Sequence, residues 1–434
     1  MRRILNVILL LLIAADFSVA QDTADYYNPG FMRHENFIYK PSIHTVILER
    51  NNEPLSDAVI VLGGGQQLKL QFDELTDESV NYSYKYIQCD FDWQPSKLHE
   101  SDYVDGFFFE QVQDYKPSFN TYQVYYHYST VFPTSQMRIT KSGNYILEVY
   151  DNAVPDQPVI TWRFRVIESF VTIEALLHRA TIVEQRFSHQ EIDFSIKYSN
   201  FTIVSPFSDL KVMLQQNGRY DNAITGLKPL FMKQDEVEYN YEDGNLFKGG
   251  NEFRNFDLRT VLSTTPFVQT LTSDPQTGLY KAELRTEESR SFQRYSILDD
   301  INGKYLIKIY DGRNDETESD YVDVQFRLKY QQLMANGTFY VFGALTNWSL
   351  IPAARMKYDY NTNTYTTSLL VKQGYYNYQY VWVEDGKRGA DETLIEGNHF
   401  ETENDYSITV YYRDPASRYD RIIGFRKLSS RNIY

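Results

Sequence analysis

Apolar and polar residues alternate with a period of two along most of this chain, and that period predicts strands rather than helices. Leu68, Leu70 and Phe72 alternate with polar neighbours directly after Gly63-Gly64-Gly65, a turn ahead of a strand. From Val80 to Trp93 one parity reads Ile87, Cys89, Phe91, Trp93, and the other reads Tyr82, Tyr84, Tyr86, Asp90, Asp92. An apolar face and a Tyr/Asp face on one segment predict a strand with one side on a core.

A short pattern occurs twice. Ser142-Gly143-Asn144-Tyr145 leads into Ile146 to Asp151, and Asn302-Gly303-Lys304-Tyr305 leads into Leu306 to Asp311. Each copy precedes a loop and a second alternating run: Trp162, Phe164, Val166 in one, Val324, Phe326, Leu328 in the other. The repeat predicts two consecutive domains that end in the same hairpin, with joints near Ser169 and Leu333. A third unit then runs from about Met334 to Tyr434. It holds a strand at Phe339 to Phe342 and a hairpin of Tyr365 to Val371 with Tyr375 to Glu384. Ser407 to Tyr412 and Arg421 to Phe425 complete it as a small sandwich. Helix is confined to a turn or two near Phe256 to Leu262, and the absence of a βαβ rhythm argues against parallel-sheet enzyme folds. The expectation is an all-β chain of tandem β-sandwich (Ig-like) domains at 21–169, 170–333 and 334–434.

The start of the chain reads as an address. Arg2 and Arg3 precede an apolar run from Ile4 to Ala15, and Ser18 and Ala20 supply a cleavage site before Gln21. These features predict a signal peptide over 1–20. The run stops at Asp16, short of the roughly 20 apolar residues of an anchor. No Cys follows the cleavage site, so no direct lipid anchor is expected. No later run is long enough to cross a membrane as a helix. The strand-like runs, roughly five to eight residues, also fall short of the 9 to 11 that a transmembrane barrel needs.

Charge and composition narrow the partners. A formal charge of −15 argues against nucleic acid and against anionic lipid. Seven His and one Cys, without ligand spacing, predict no metal site and no cofactor. Cys89 has no partner for a disulfide and reads as a small buried hydrophobe. The 37 Tyr and 27 Phe point to half-buried strands or a protein-binding surface.

Candidate chemistry is sparse. Asp90 and Asp92, two apart on a strand, would share one face at roughly 6 to 7 Å, a spacing related to that of paired catalytic carboxylates; the alternative is that they cap a turn. His127 lies among tyrosines, and no G-x-S-x-G elbow accompanies it, which favours a structural histidine. Gly63-Gly64-Gly65 lacks the Lys-Ser/Thr tail of a phosphate loop. Gly343 to Trp348, with the arm Tyr376, Tyr378, Tyr380, Trp382, resembles the starch- and glycogen-binding class of Ig-like modules. Trp348 and Trp382 either offer a sugar-stacking platform or pack inside the sandwich.

A further resemblance spans nearly all of the mature chain. Cys89-Asp90-Phe91-Asp92-Trp93, Tyr103 to Phe107, Asp114-Tyr115, Ser118-Phe119-Asn120-Thr121 and Tyr126-His127-Tyr128 resemble the first domain of the type 9 secretion system plug proteins of Bacteroidota. Ser142 to Asp151 and Gly343 to Trp348 fit that family's later portions. The resemblance implies a non-enzymatic periplasmic protein that occludes the periplasmic mouth of a very large outer-membrane β-barrel translocon. It makes Asp90, Asp92, Trp93, Tyr126, His127 and Tyr128 either a functional surface or the framework of the first domain.

Overall fold

Alternation becomes a strand wherever one parity has a core to cover. The computed structural model describes residues 31–330, 333–387, 389–414 and 416–431. The expected signal peptide, 1–20, lies outside the described residues. The protein is all-β: three β-sandwiches, each with its own apolar core, joined by turns and single-turn helices such as Glu100–Tyr103.

In the first sandwich one sheet runs Phe37–Ile38, Pro158–Ile167, Gly143–Asp151, Tyr82–Cys89, Phe109–Gln111. The facing sheet runs Ile43–Arg50, Leu68–Glu74, Tyr126–Phe132, Asp114–Pro117. Leu68, Leu70 and Phe72 are fully buried between them, as their alternation predicts. In Tyr82–Cys89 it is the tyrosine parity that faces this core. Tyr82, Tyr84 and Tyr86 fill the core, while Ile87 and Cys89 lie on the other face with Ile146 and Trp93. A tyrosine ring buries as much apolar surface as any aliphatic side chain and needs only an acceptor at the rim. Here Tyr82 donates to Glu74 at 2.7 Å and Tyr84 to Glu110 at 2.6 Å.

The other two sandwiches are interleaved along the chain. Leu210–Gln216 pairs antiparallel with Asp405–Tyr412, from Leu210↔Tyr412 to Gln216↔Tyr406, and Asp405–Tyr412 pairs in turn with Arg421–Ser429. One core therefore unites Ile173 to Phe247 with Tyr406 to Ile423. The third core, Phe256 to Ile395, lies between those two stretches in sequence. Ser407 to Tyr412 and Arg421 to Phe425 thus complete the second sandwich and not the third. The joint expected at 333/334 falls between Tyr321–Lys329 and Gly337–Phe342, two strands that share the third core. Alternation marks strands one by one; which strands pair depends on contacts across nearly two hundred residues.

The two copies of the repeat also part company. Gly143–Asp151 forms a hairpin with Pro158–Ile167. Tyr305–Ile307 instead pairs with Gly374–Tyr376, while Tyr321–Lys329 lies in the opposite sheet against Thr364–Lys372. The turn of helix expected near Phe256 is a strand, Arg254–Asp257.

Candidate functional site

The segment with the most specific sequence signature closes the junction between the first and second sandwiches. Strand Tyr82–Cys89 ends at Cys89, and Asp90 to Trp93 form a tight turn. Trp93 donates its N–H to the Asp90 carbonyl at 3.0 Å and takes a left-handed φ of 64°. The two aspartates therefore do not share a strand face. Asp92 is exposed and caps the turn by accepting the Gln94 N–H at 3.2 Å. Asp90 turns to the second sandwich, where its carboxylate meets the Arg413 guanidinium at 2.6 Å and accepts the Asp420 N–H at 3.0 Å. Asp420, itself buried, accepts the Phe91 N–H at 2.9 Å and holds Arg413 at 2.9 Å and Lys211 at 3.1 Å. Trp93 is buried edge-on against Tyr220 at 5.3 Å, with the Arg163 guanidinium 4.5 Å above its ring. Beneath it, burial pushes the Cys89 thiol up to about 12, which leaves the thiol protonated and unreactive at neutral pH.

His127 belongs to the junction between the first and third sandwiches. Asp73 and His127 face each other across neighbouring strands, as do Tyr321 and Lys372. The two pairs meet. The Asp73 carboxylate takes His127 Nδ1 at 2.6 Å on one oxygen, and Lys372 Nζ at 2.7 Å and the Tyr321 hydroxyl at 2.8 Å on the other. All four side chains are buried. Burial alone would raise the Asp73 carboxyl, but the Lys372 ammonium and His127 hold it below its ordinary value. Around this centre Tyr125 donates to the Ser319 carbonyl at 2.8 Å, and Asp320 accepts the N–H groups of Tyr122 and Gln123 at 2.7 and 3.1 Å. Tyr126 is half-buried. Tyr128 is fully buried, stacked on Phe72 at 5.0 Å with its hydroxyl on the Val80 backbone. The triplet Tyr126-His127-Tyr128 therefore divides, with Tyr128 in the core and His127 on the junction. Asp73, Tyr321, Lys372, Arg413 and Asp420 carry these junctions and leave no local mark in the sequence.

Residues 43–168 match the first domain of the type 9 secretion system plug proteins. A hypothetical protein from Parabacteroides merdae, solved by crystallography, is 33% identical, with 92% of this chain and 100% of that chain covered and a TM-score of 0.88. The chain belongs to the type 9 secretion system plug protein family. Native α-2-macroglobulin from Escherichia coli, in a structure spanning domains NIE–MG1, aligns over 47% of this chain and 97% of that one. It is 12% identical, with a TM-score of 0.16. No curated protein matches. The plug family is a secretion family rather than an enzyme family. The matched first domain contains Asp73, Asp90, Trp93 and His127, whereas their partners Tyr321, Lys372, Arg413 and Asp420 lie beyond it.

The aromatic arm of the third sandwich faces inward. Tyr376, Tyr378, Tyr380 and Trp382 are all buried, and Trp382 packs on Phe339 at 4.6 Å. Trp348 is half-buried, edge-on to Phe342 at 5.5 Å and Phe253 at 5.8 Å. A side chain at Gly303 (φ +76°) would come within 2.3 Å of the Trp348 ring, which accounts for that glycine in the repeated pattern. Exposed aromatic residues lie off this arm, among them Phe292 and Tyr360. Phe107, Phe108 and Phe109 are 61%, 42% and 56% exposed at an edge of the first sandwich.

One group of potential metal ligands exists among the described residues. His178 and Glu191 face each other across two strands, Asp193 is two residues on, and their ligand atoms lie within 4.8 Å of one another. His178 Nε2 is 3.0 Å from Asp193, its Nδ1 is 2.8 Å from the Arg179 carbonyl, and Glu191 accepts the Thr181 N–H at 2.6 Å. The Asp193 hydrogen bond raises the His178 pKa, so the group fits an internal ion pair. Among the described residues, no helix is long and apolar enough to cross a membrane.

Proposed function

We propose that this protein is a periplasmic plug that occludes the periplasmic opening of the type 9 outer-membrane translocon between transport events, exported by a signal peptide over 1–20. The match of residues 43–168 to the plug family's first domain carries the reading. The junctions support it. A stopper must resist deformation, and buried charge clusters that need partners from two sandwiches at once favour one arrangement over a hinged set. Asp90 and His127 are taken up by the junctions and Asp92 by a turn, which supports a structural role for these residues. The barrel is taken to contact exposed apolar surface, of which Phe107 to Phe109 is a continuous run.

The test is capture of the tagged protein from detergent-solubilised outer membranes of its host, with a leakage assay on a deletion strain. Near-stoichiometric recovery of one very large barrel, with dye or antibiotic entry rising on deletion, is the expected result. Replacing Phe107, Phe108 and Phe109 by Ser should leave the melting temperature unchanged and weaken barrel recovery. A deletion strain with an intact barrel and unchanged permeability would sink the reading.

A further inference from the structure

The group of His178, Glu191 and Asp193 takes no part in either charged junction. His178 faces Glu191 across the strands Thr172–Arg179 and His189–Lys197, and Asp193 lies two residues on, on the same face. His178 Nε2 is 3.0 Å from Asp193 Oδ2 and 3.9 Å from Glu191 Oε1. Two ligands on a tetrahedral ion at about 2.0–2.1 Å lie roughly 3.3 Å apart, a separation between those two. The three residues come from two strands, so no ligand spacing in the sequence marks them.

Each of these side chains is held from behind by a group outside the cluster. His178 Nδ1 lies 2.8 Å from the Arg179 carbonyl, which only accepts, so Nδ1 carries the proton and the lone pair of the neutral ring sits on Nε2. The second oxygen of Glu191 accepts the Thr181 N–H at 2.6 Å, and the second oxygen of Asp193 accepts the side-chain amide of fully buried Asn245 at 3.2 Å. The Thr181 hydroxyl also donates to Glu191 Oε1 at 3.2 Å, which leaves that oxygen a further lone pair. An imidazole on a carbonyl and carboxylates on amide donors are the outer partners that orient ligands around a metal.

Charge points the same way. A proton on His178 closes the group as an ion pair, yet one positive charge then faces two negative ones. Among the described residues, no Lys or Arg lies within ion-pair distance of either carboxylate. The Glu191 side chain is 2% exposed, so part of the surplus charge is held out of water, which is costly. A divalent cation on the neutral imidazole balances both carboxylates. His178 and Asp193 are half-buried, which leaves an entry path and an open position for water.

We propose that His178, Glu191 and Asp193 bind a divalent transition-metal ion of the zinc class, with water completing the coordination. The imidazole nitrogen disfavours Mg2+ and Ca2+, which take oxygen ligands. The one thiol of the chain, Cys89, is buried in the first sandwich, so no soft ligand favours Cu(I). The ion takes the place of any proton on Nε2, which passes to solvent. It ties the two strands together and, through Thr181, the turn between them, so the melting temperature rises with zinc concentration. The site is independent of the plug reading.

Titration calorimetry with Zn2+ on the mature full-length protein, first stripped with a chelator, tests it alongside thermal melts. One Zn2+ per chain should bind with a Kd of about 10 μM or tighter, and Mg2+ in about hundredfold excess should not displace it. His178→Gln and Asp193→Asn, both at half-buried positions, should each weaken binding at least about tenfold and abolish the rise in melting temperature with zinc. His99→Gln, at an exposed histidine of the first sandwich, should change neither. Should one of the two ligand variants fail to fold, the other carries the test. The proposal is overturned if zinc binds no more tightly than about 1 mM or if Mg2+ competes on equal terms. It is overturned equally if the folded ligand variants bind zinc like the wild type, which would mean an adventitious ion only.

Discussion

Asp73 is the residue on which the junction of the first and third sandwiches turns. Its carboxylate serves Lys372, Tyr321 and His127 together, so its loss strands a buried ammonium and an imidazole. Asp73→Ala is expected to cost about 3–5 kcal/mol in a denaturant titration, and adding Lys372→Met should cost less than the sum of the two changes. Because the folded-state pKa of Asp73 is depressed, its contribution is present above the ordinary carboxylate pKa and is lost as pH falls through the lower folded value. A second group titrates at the opposite end. Burial pushes Glu252 up to about 7 and Asp300 up to about 6. Raised carboxyls stabilise fully below their unfolded pKa, and that stability is lost as pH rises through the two folded values. Glu252→Gln should therefore raise the melting temperature at about pH 8 and change it little near pH 4; an equal change at both would show that Glu252 is ionised throughout.

At the scale of the element, the strand pattern was legible and the facing of its tyrosines was not. Leu68–Glu74 and Tyr321–Lys329 bury the parity that hydropathy selects. Tyr82–Cys89 buries its tyrosines, because a ring with a rim hydroxyl counts as core when an acceptor waits at the edge. That dependence on the acceptor predicts a contrast between two fully buried tyrosines. Tyr82→Phe removes the donor to buried Glu74 and should cost roughly 0.5–1.5 kcal/mol. Tyr239, stacked on Phe194 at 4.6 Å, has no hydrogen-bond partner for its hydroxyl, so Tyr239→Phe should be neutral or stabilising. Equal losses at both positions in thermal melts would contradict this account. The Asp90 to Trp93 turn belongs to the same scale. Alternation continues through it, but the left-handed Trp93 ends the strand, and no periodicity reports a single dihedral.

For the whole molecule, the interleaving of the second and third cores sets how the chain folds. We propose a division into a first domain, a second built from about 170–250 with 404–430, and a third inserted between those pieces. A chain truncated after Leu333 loses Asp405–Tyr412 and Arg421–Ser429, half of one sheet of the second sandwich. Limited proteolysis of such a chain should leave a fragment ending near residue 168 and degrade the residues C-terminal to it. A protected fragment reaching 250 would show instead that 170–250 folds by itself.

The sequence by itself determined the all-β class, most of the strands and, through the Cys89 to Trp93 and Tyr126 to Tyr128 stretches, the family. These are properties of short segments, set by alternation, charge and side-chain type, and they survive whatever the segment packs against. Only the tertiary structure decided that Asp90 meets Arg413, that His127 and Asp73 meet Lys372, and that Trp382 faces a core. It also decided that Arg165 is buried beside the Tyr220 ring, with its terminal nitrogens on Thr409 and Gln215. Each of those outcomes depends on which strands pair across hundreds of residues, and pairing is settled by the burial of whole faces against one another rather than by any local pattern.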